Sequence, residues 1–458
     1  MRHTTFLAAS APLLLALVAC GGSASSSTSP TNPTSVPVAK SSLPRDAASS
    51  ISPASLAGAV TANNAFALDL YSRLRTTPSP SNILTSPISA SLALTMTYAG
   101  AQGETASQMA TALHYGSATS TIFDGQNALS QALASRAATA LAADQKTASE
   151  SGEPAPSASD YQLQVVNSVW GEQTYTWETP FLDTLAKSYG TGVYQQDFIN
   201  QSAAALTTIN DWVSAATSDK INDLLTPGSI DDTTRMVLVN AIHLKFPWLN
   251  TFNATATLPA PFTRADGTTA STPFMNQVQT FGYVDDGQAQ IVSLPLAGGQ
   301  ETVVIALPHG DLATYEAGLT ATSGIVAPPT AQAQVTLSLP KVTFTSPSFS
   351  LATALQAMGM TQAFDKQNAD FLGLCAKTPD GDRLYISDVL QKAMIAMQET
   401  GVEAAAATAV VVAGSSVSQQ PPPVTMTVNR PYLISIVDGP TGAVLFLGHI
   451  EDPTATGS

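Results

Sequence analysis

Side chains able to do covalent or acid–base chemistry are few in this chain and poorly spaced for it. The histidines are His3, His114, His243, His309 and His449, and the cysteines are Cys20 and Cys375. None stands in an HExxH helix, a GxSxG elbow, a phosphate-cradling glycine loop or a dinucleotide fingerprint, the patterns that bring a metal, a nucleophile or a nucleotide to a reacting group. His243 sits inside the apolar run 236–244 and reads as a satisfied core residue rather than a base. No enzyme activity, metal or cofactor is expected.

Two places remain where chemistry could happen. The first is Cys20. Met1-Arg2-His3 precedes an apolar run, 6–19, too short to span a bilayer as a stable helix, so it reads as an export leader. Its end, Leu17-Val18-Ala19-Cys20 followed by Gly21-Gly22, resembles the lipobox of bacterial lipoproteins, which implies a lipid anchor on Cys20 at the bacterial cell envelope; an ordinary leader with a chance cysteine would instead make the protein extracellular. With Cys20 modified, Cys375 has no partner for a disulfide framework.

The second is the stretch 387–417. Its strand-like half, 390–397, is followed by the polar break Gln398-Glu399-Thr400-Gly401, where glycine frees the backbone. Next come Val402, Glu403, Ala404, Ala405, Ala406, Ala407 and Thr408, then three valines. At the period of a strand, Val402, Ala404, Ala406 and Thr408 share one small uncharged face, and Glu403 faces water from the other. On these residues alone two readings stand: an alanine-rich surface loop, or a segment that is a loop in one state and a central strand in another.

The elements around this stretch are enough for one large domain or two ordinary ones, after a leader, 1–19, and a Ser/Thr/Pro-rich tether, 20–57, expected to be flexible. The 458 residues carry 18 basic and 33 acidic side chains, a net charge of −15 that disfavours nucleic acid as a partner. Phe66, Leu70 and Leu74 are spaced as a helix, and Ser86-Pro87 starts a second as N-cap and first helical residue. Thr105 and Gln108 have the spacing of a capping box. An alanine-rich helix leads into a polar loop at 147–158. Helices follow at Thr179-Pro180-Phe181, over 206–216 and over 348–358, and strands over 161–170, 236–244, much of 251–344, 432–437 and 444–450. Helices first and strands later, without strict alternation, make the fold α+β.

Four segments, in order, resemble the serpin family: 82–109; 209–248, with INDWV, KINDLL and LVNAIHLKFPW; 339–371, with Leu339-Pro340-Lys341; and 391–408 with Asn429-Arg430-Pro431-Tyr432 and Leu445-Phe446-Leu447-Gly448. The resemblance implies a single serpin domain over 58–453, an α+β fold of three β-sheets with eight or nine helices and an exposed C-terminal reactive loop. It also implies a suicide mechanism, in which the cleaved loop enters the main sheet and carries a serine protease with it in a covalent one-to-one complex. A serpin-fold binding protein that does not inhibit is the alternative.

Residue roles follow the same resemblance. Glu399 matches the acid before the hinge glycine Gly401, and Lys341 its partner. Residues 402–408 match the inserting hinge. Ser86, Ser89 and Asn240 match the polar cluster that lets the main sheet part, with Gln391 where many members have histidine, and Trp248 matches the tryptophan near the sheet's top. The cleaved bond falls within 412–418, and the sixteenth residue after Glu399 gives Ser415-Ser416. Residues 404–425 contain no Lys, Arg, Phe, Tyr, Trp, Leu or Met, which favours elastase-like or subtilisin-like targets.

Overall fold

The computed structural model describes residues 36–76, 82–116, 121–379, 381, 383–403 and 423–457. In chain order these form β1 (Val38–Ala39), α1 (Pro53–Leu74), β2 (Asn82–Thr85), α2 (Pro87–Tyr98), α3 (Gly103–Ala112), α4 (Ile122–Ser151), β3 (Gln162–Glu172) and α5 (Thr179–Thr184). There follow β4 (Val193–Gln196), α6 (Phe198–Ala216), β5 (Met236–Pro247), β6 (Leu258–Thr263), β7 (Thr269–Asp285), β8 (Ala289–Pro295) and β9 (Glu301–Pro308). The remainder is α7 (Leu312–Ala317), β10 (Gln332–Pro340), β11 (Val342–Thr345), β12 (Phe349–Ser350), α8 (Ala352–Ala357), β13 (Val389–Gln398), β14 (Gly401–Val402), β15 (Val424–Thr427), β16 (Tyr432–Asp438) and β17 (Val444–Ile450).

The first sheet runs β1-β4-β3-β5-β14-β13-β11, with β12 also on β13. The second runs β15-β10-β7-β8-β9-β16-β17-β2, with β6 on β7. The expected three sheets form two hydrogen-bonded networks among the described residues because β7 is long enough to join two of them. Its first part pairs with β6, its middle with β10 and its end with β8.

The main core lies inside the first sheet. It takes Leu238, Ile242, Leu244 and Phe246 from alternate positions of β5, together with Phe66 of α1 and Leu92 of α2. α2 is buried on every side, so its hydroxyls are bonded within the protein, as when the Thr95 hydroxyl donates to Ser91 O of its own helix at 2.6 Å. The outer face of the same sheet, Val166, Trp170, Val237 and Val239, is covered by Ile209, Trp212 and Val213 of α6, with Trp170 stacked on Tyr194 at 4.8 Å. Intervening residues of β5 thus face α6, the even ones the core.

Several expectations are corrected. The tether reading fails for its described part, 36–57. Val38 and Ala39 pair with β4, Arg45 Nε donates to Asn127 Oδ1 at 2.8 Å, and Ser52 caps α1 through the Ser55 N–H. A Ser/Thr/Pro-rich composition does not prevent backbone pairing at a free sheet edge. Thr105 and Gln108 are not a capping box, because α3 begins at Gly103. The Thr105 hydroxyl donates to Gln362 Oε1 at 3.0 Å and Gln108 Oε1 accepts the Gln362 N–H at 2.8 Å, which pins α3 to residues 361–370. α4 runs through 147–151 and stops at Gly152, whose φ of +75° is the left-handed cap. Ser86 sits before α2 as expected, but its hydroxyl donates to Leu445 O at 2.9 Å rather than to the helix end.

Candidate functional site

β13 leaves the first sheet at Gln398, turns through Glu399 and Thr400, and comes back as β14. β14 is two residues long and lies between β13 and β5. Val402 faces Met397 on one side and Phe246 on the other, and Gly401 faces Gln398 and Pro247. The Val402 side chain is buried in the main core, on the same face as Phe246. The polar break and the glycine therefore make a reversal that returns the chain into the sheet it has just left.

Side chains around the turn hold it closely. Trp248 donates from Nε1 to Gln398 O at 2.7 Å and from its backbone N–H to Thr400 O at 3.0 Å. Lys341 Nζ lies 2.7 Å from Glu399 Oε2, and the Thr257 hydroxyl donates to Glu399 Oε1 at 2.9 Å. Burial alone would push the Glu399 carboxyl up, but the bonds from Lys341, its own backbone and Thr257 outweigh this and hold it below its ordinary value. The structure thus joins Glu399, Lys341 and Trp248 at the upper end of the strand pair β5/β13.

Below β14 the two strands meet directly and run parallel, from Val389 opposite Leu238 to Ala393 opposite Ile242. Gln391 and Asn240 are opposite each other in that stretch and wholly buried. Gln391 Nε2 donates to Asn240 Oδ1 at 2.9 Å and to Ser86 O at 2.8 Å. Its Oε1 accepts the Thr85 hydroxyl at 2.6 Å and the Ser86 N–H at 3.0 Å. Asn240 Nδ2 donates to Leu390 O at 2.9 Å. Both ends of the glutamine amide are used in full. Ser89 belongs to the neighbourhood without touching Gln391: its hydroxyl donates to Ala241 O at 3.4 Å and accepts the Asn167 amide at 3.0 Å.

The family model described as Serpin (serine protease inhibitor) matches residues 61–453. The chain belongs to the serpin family. Among its relatives is the human leukocyte elastase inhibitor, 29% identical over 404 residues that cover 86% of this chain and 98% of the relative. Among solved structures, the thermophilic serpin tengpin in its native state aligns with a TM-score of 0.74 at 24% identity, over 91% of this chain and 99% of tengpin. Human thyroxine-binding globulin aligns with a TM-score of 0.72 at 25% identity, over 87% of this chain and all of that one.

In this serpin Gln391 makes four hydrogen bonds to three residues, Thr85, Ser86 and Asn240. Thr85 and Asn167, absent from the sequence reading, complete the cluster. Thr85 was legible in principle, since it ends β2 one residue before Ser86. Ala404, Ala405, Ala406, Ala407, Thr408, Ser415, Ser416 and Cys20 lie outside the described residues.

The expectation that Glu403 faces water is overturned. Its side chain is only 10% exposed, and its carboxylate is held by His243 Nε2 and by Lys220 Nζ, the latter at 2.5 Å. Burial alone would raise the Glu403 carboxyl, but the bonds from His243 and Lys220 outweigh it and set it below its ordinary value. The outward side of the hinge is not open solvent at this point because the segment after α6 lies over it. His243 is buried and bonded as expected, but its partner is the hinge.

Proposed function

We propose that this serpin is inhibitory, trapping serine proteases by cleavage of its loop and insertion of the cleaved segment between β5 and β13. The observation that carries the reading is an agreement of registers. β14 is antiparallel to both neighbours, and its pairing places Phe246 level with Met397. Counted downward, the same register puts Leu244 level with Ile395, Ile242 with Ala393 and Asn240 with Gln391. The last two are pairs the strands already make directly. A strand entering behind β14 would therefore need β5 and β13 to move apart but not to slide.

In that register Ala404 would stand between Leu244 and Ile395, Ala406 between Ile242 and Ala393, and Thr408 between Asn240 and Gln391. Small side chains would meet the apolar rungs, and the one hydroxyl would meet the polar rung. The exchange gives up one parallel ladder and forms two antiparallel ones, which supports insertion as the downhill direction. The uncleaved chain is then held by a barrier rather than by being the most stable arrangement.

The loop's composition points to target pockets that are small or broadly apolar, because residues 404–425 offer neither a cation nor a large side chain. The leader and Cys20 point to an exported protein held at a membrane by a lipid anchor. Incubation with elastase, subtilisin and trypsin, followed by denaturing electrophoresis, tests the central reading. Elastase or subtilisin should give a denaturant-resistant one-to-one complex, and trypsin little. Clean loop cleavage by both with no complex would instead make this a serpin-fold binding protein.

A further inference from the structure

The contacts of Glu403 define a site that neither the family match nor the loop's role requires. From its geometry we propose that His243, Lys220 and the segment 217–222 form a receiving site for the Glu403 carboxylate, which docks the start of the loop in the sheet and fixes the residue at which insertion stops in the uncleaved protein.

Glu403 is where the chain turns out of the sheet. Its backbone N–H still donates to Ala396 O, at 2.6 Å, as a residue of the ladder would. Its φ, however, is +52°, a left-handed conformation that a glutamate does not favour and that costs roughly 1–2 kcal/mol. β14 offers only two residues of strand pairing to hold that bend in place, and so short a strand is marginal by itself. The side chain supplies what the backbone lacks.

The site is built from both sides of the gap. On β5, His243 points to the α6 face, with Nε2 on the Glu403 carboxylate and Nδ1 3.1 Å from Gln164 Oε1, so an acceptor faces each ring nitrogen. Gln164, on β3, donates from Nε2 to the Ser218 hydroxyl at 3.1 Å. Lys220, two residues on, reaches the other carboxylate oxygen. On β13, Lys392 Nζ donates to Asn222 O at 2.9 Å. Residues 218–222 therefore cross the outer face of the sheet from β3 to β13, directly over the place where β5 and β13 part, and Glu403 is tied to the middle of that crossing.

His243 and Lys220 are positioning residues in this account. For the chain to continue inward as a strand, Glu403 must leave the left-handed region, so the bend held by its two partners has to be given up first. The docking is a property of the uncleaved protein and stands whether or not the loop traps a protease.

Hydrogen–deuterium exchange on the intact, uncleaved protein tests it, comparing the parent with Glu403→Gln, His243→Gln and the double variant. The amides of Gly401, Val402 and Glu403 should exchange faster by about tenfold or more in each single variant, the loss expected when a charge-assisted bond is removed. The double variant should add little to either single one, because both break the same contact. Protection elsewhere in β5 and β13, and the unfolding midpoint, should stay close to the parent's. Unchanged protection at 401–403 in Glu403→Gln would overturn the proposal, as would a loss spread evenly over both strands or additive effects in the double variant.

Discussion

At the upper end of the gap between β5 and β13 the contacts are ionic, Glu399 with Lys341 and Glu403 with Lys220, and His243 bonds the second oxygen of the Glu403 carboxylate. At the lower end they are neutral, a single glutamine amide shared among Thr85, Ser86 and Asn240. The two ends answer differently to an incoming strand. A neutral amide can exchange one partner for a hydroxyl or a backbone group at little net cost. A partly buried carboxylate cannot lose its cation without being left uncompensated. Under the proposed mechanism the upper end fixes the start of the loop, and the lower end parts and re-forms around the entering strand.

The largest perturbation of this contrast is Val402→Arg. It puts a guanidinium into the buried upper end, where Val402 packs against Phe246 and Met397. An unpaired charge there costs several kcal/mol, and a barrier raised by ~3 kcal/mol slows insertion by more than a hundredfold. The variant should be cut in the loop as the parent is, yet form almost no covalent complex on a denaturing gel. Undiminished trapping would mean that Val402 does not lead the inserting strand. Glu403→Arg is not a neutral control for this experiment, because it destroys a contact of its own.

A smaller effect is expected at the lower end from Gln391→Ala. It leaves the Thr85 hydroxyl, the Ser86 N–H and the Asn240 amide short of partners in a fully buried site, and should cost about 2 kcal/mol of stability. Urea unfolding of the intact protein would show it as a lowered midpoint with an unchanged slope. An unchanged midpoint would mean that the cluster does not hold the strands together.

Much of this arrangement was legible from residue types. The inward place of Val402 follows from strand periodicity, and the apolar run 236–244 announces a strand buried on both sides. Other features depend on tertiary contacts that no local pattern encodes. Glu403 read as exposed because it alternates with Val402, but a strand's outer face is dry wherever another segment crosses it, and Lys220 lies far off in sequence. The left-handed turn at Glu403 carries no signal, since glutamate has no preference for it. Thr105 and Gln108 have the right spacing for a cap, and only the packing of residues 361–370 decides how their side chains bond. The described part of the tether failed for a related reason: β1, only Val38 and Ala39, is held by the open edge of β4, which two residues of local sequence do not reveal.

The claim on which the account turns is that the sheet is more stable with one more strand than without it. Guanidinium unfolding and thermal unfolding of the intact protein and of the same protein cut once within the loop measure this directly. Two new ladders in exchange for one, and burial of the hinge's small face, should raise the midpoint of the cut form by ~10 °C or more. Equal midpoints, or a cut form that unfolds first, would contradict it.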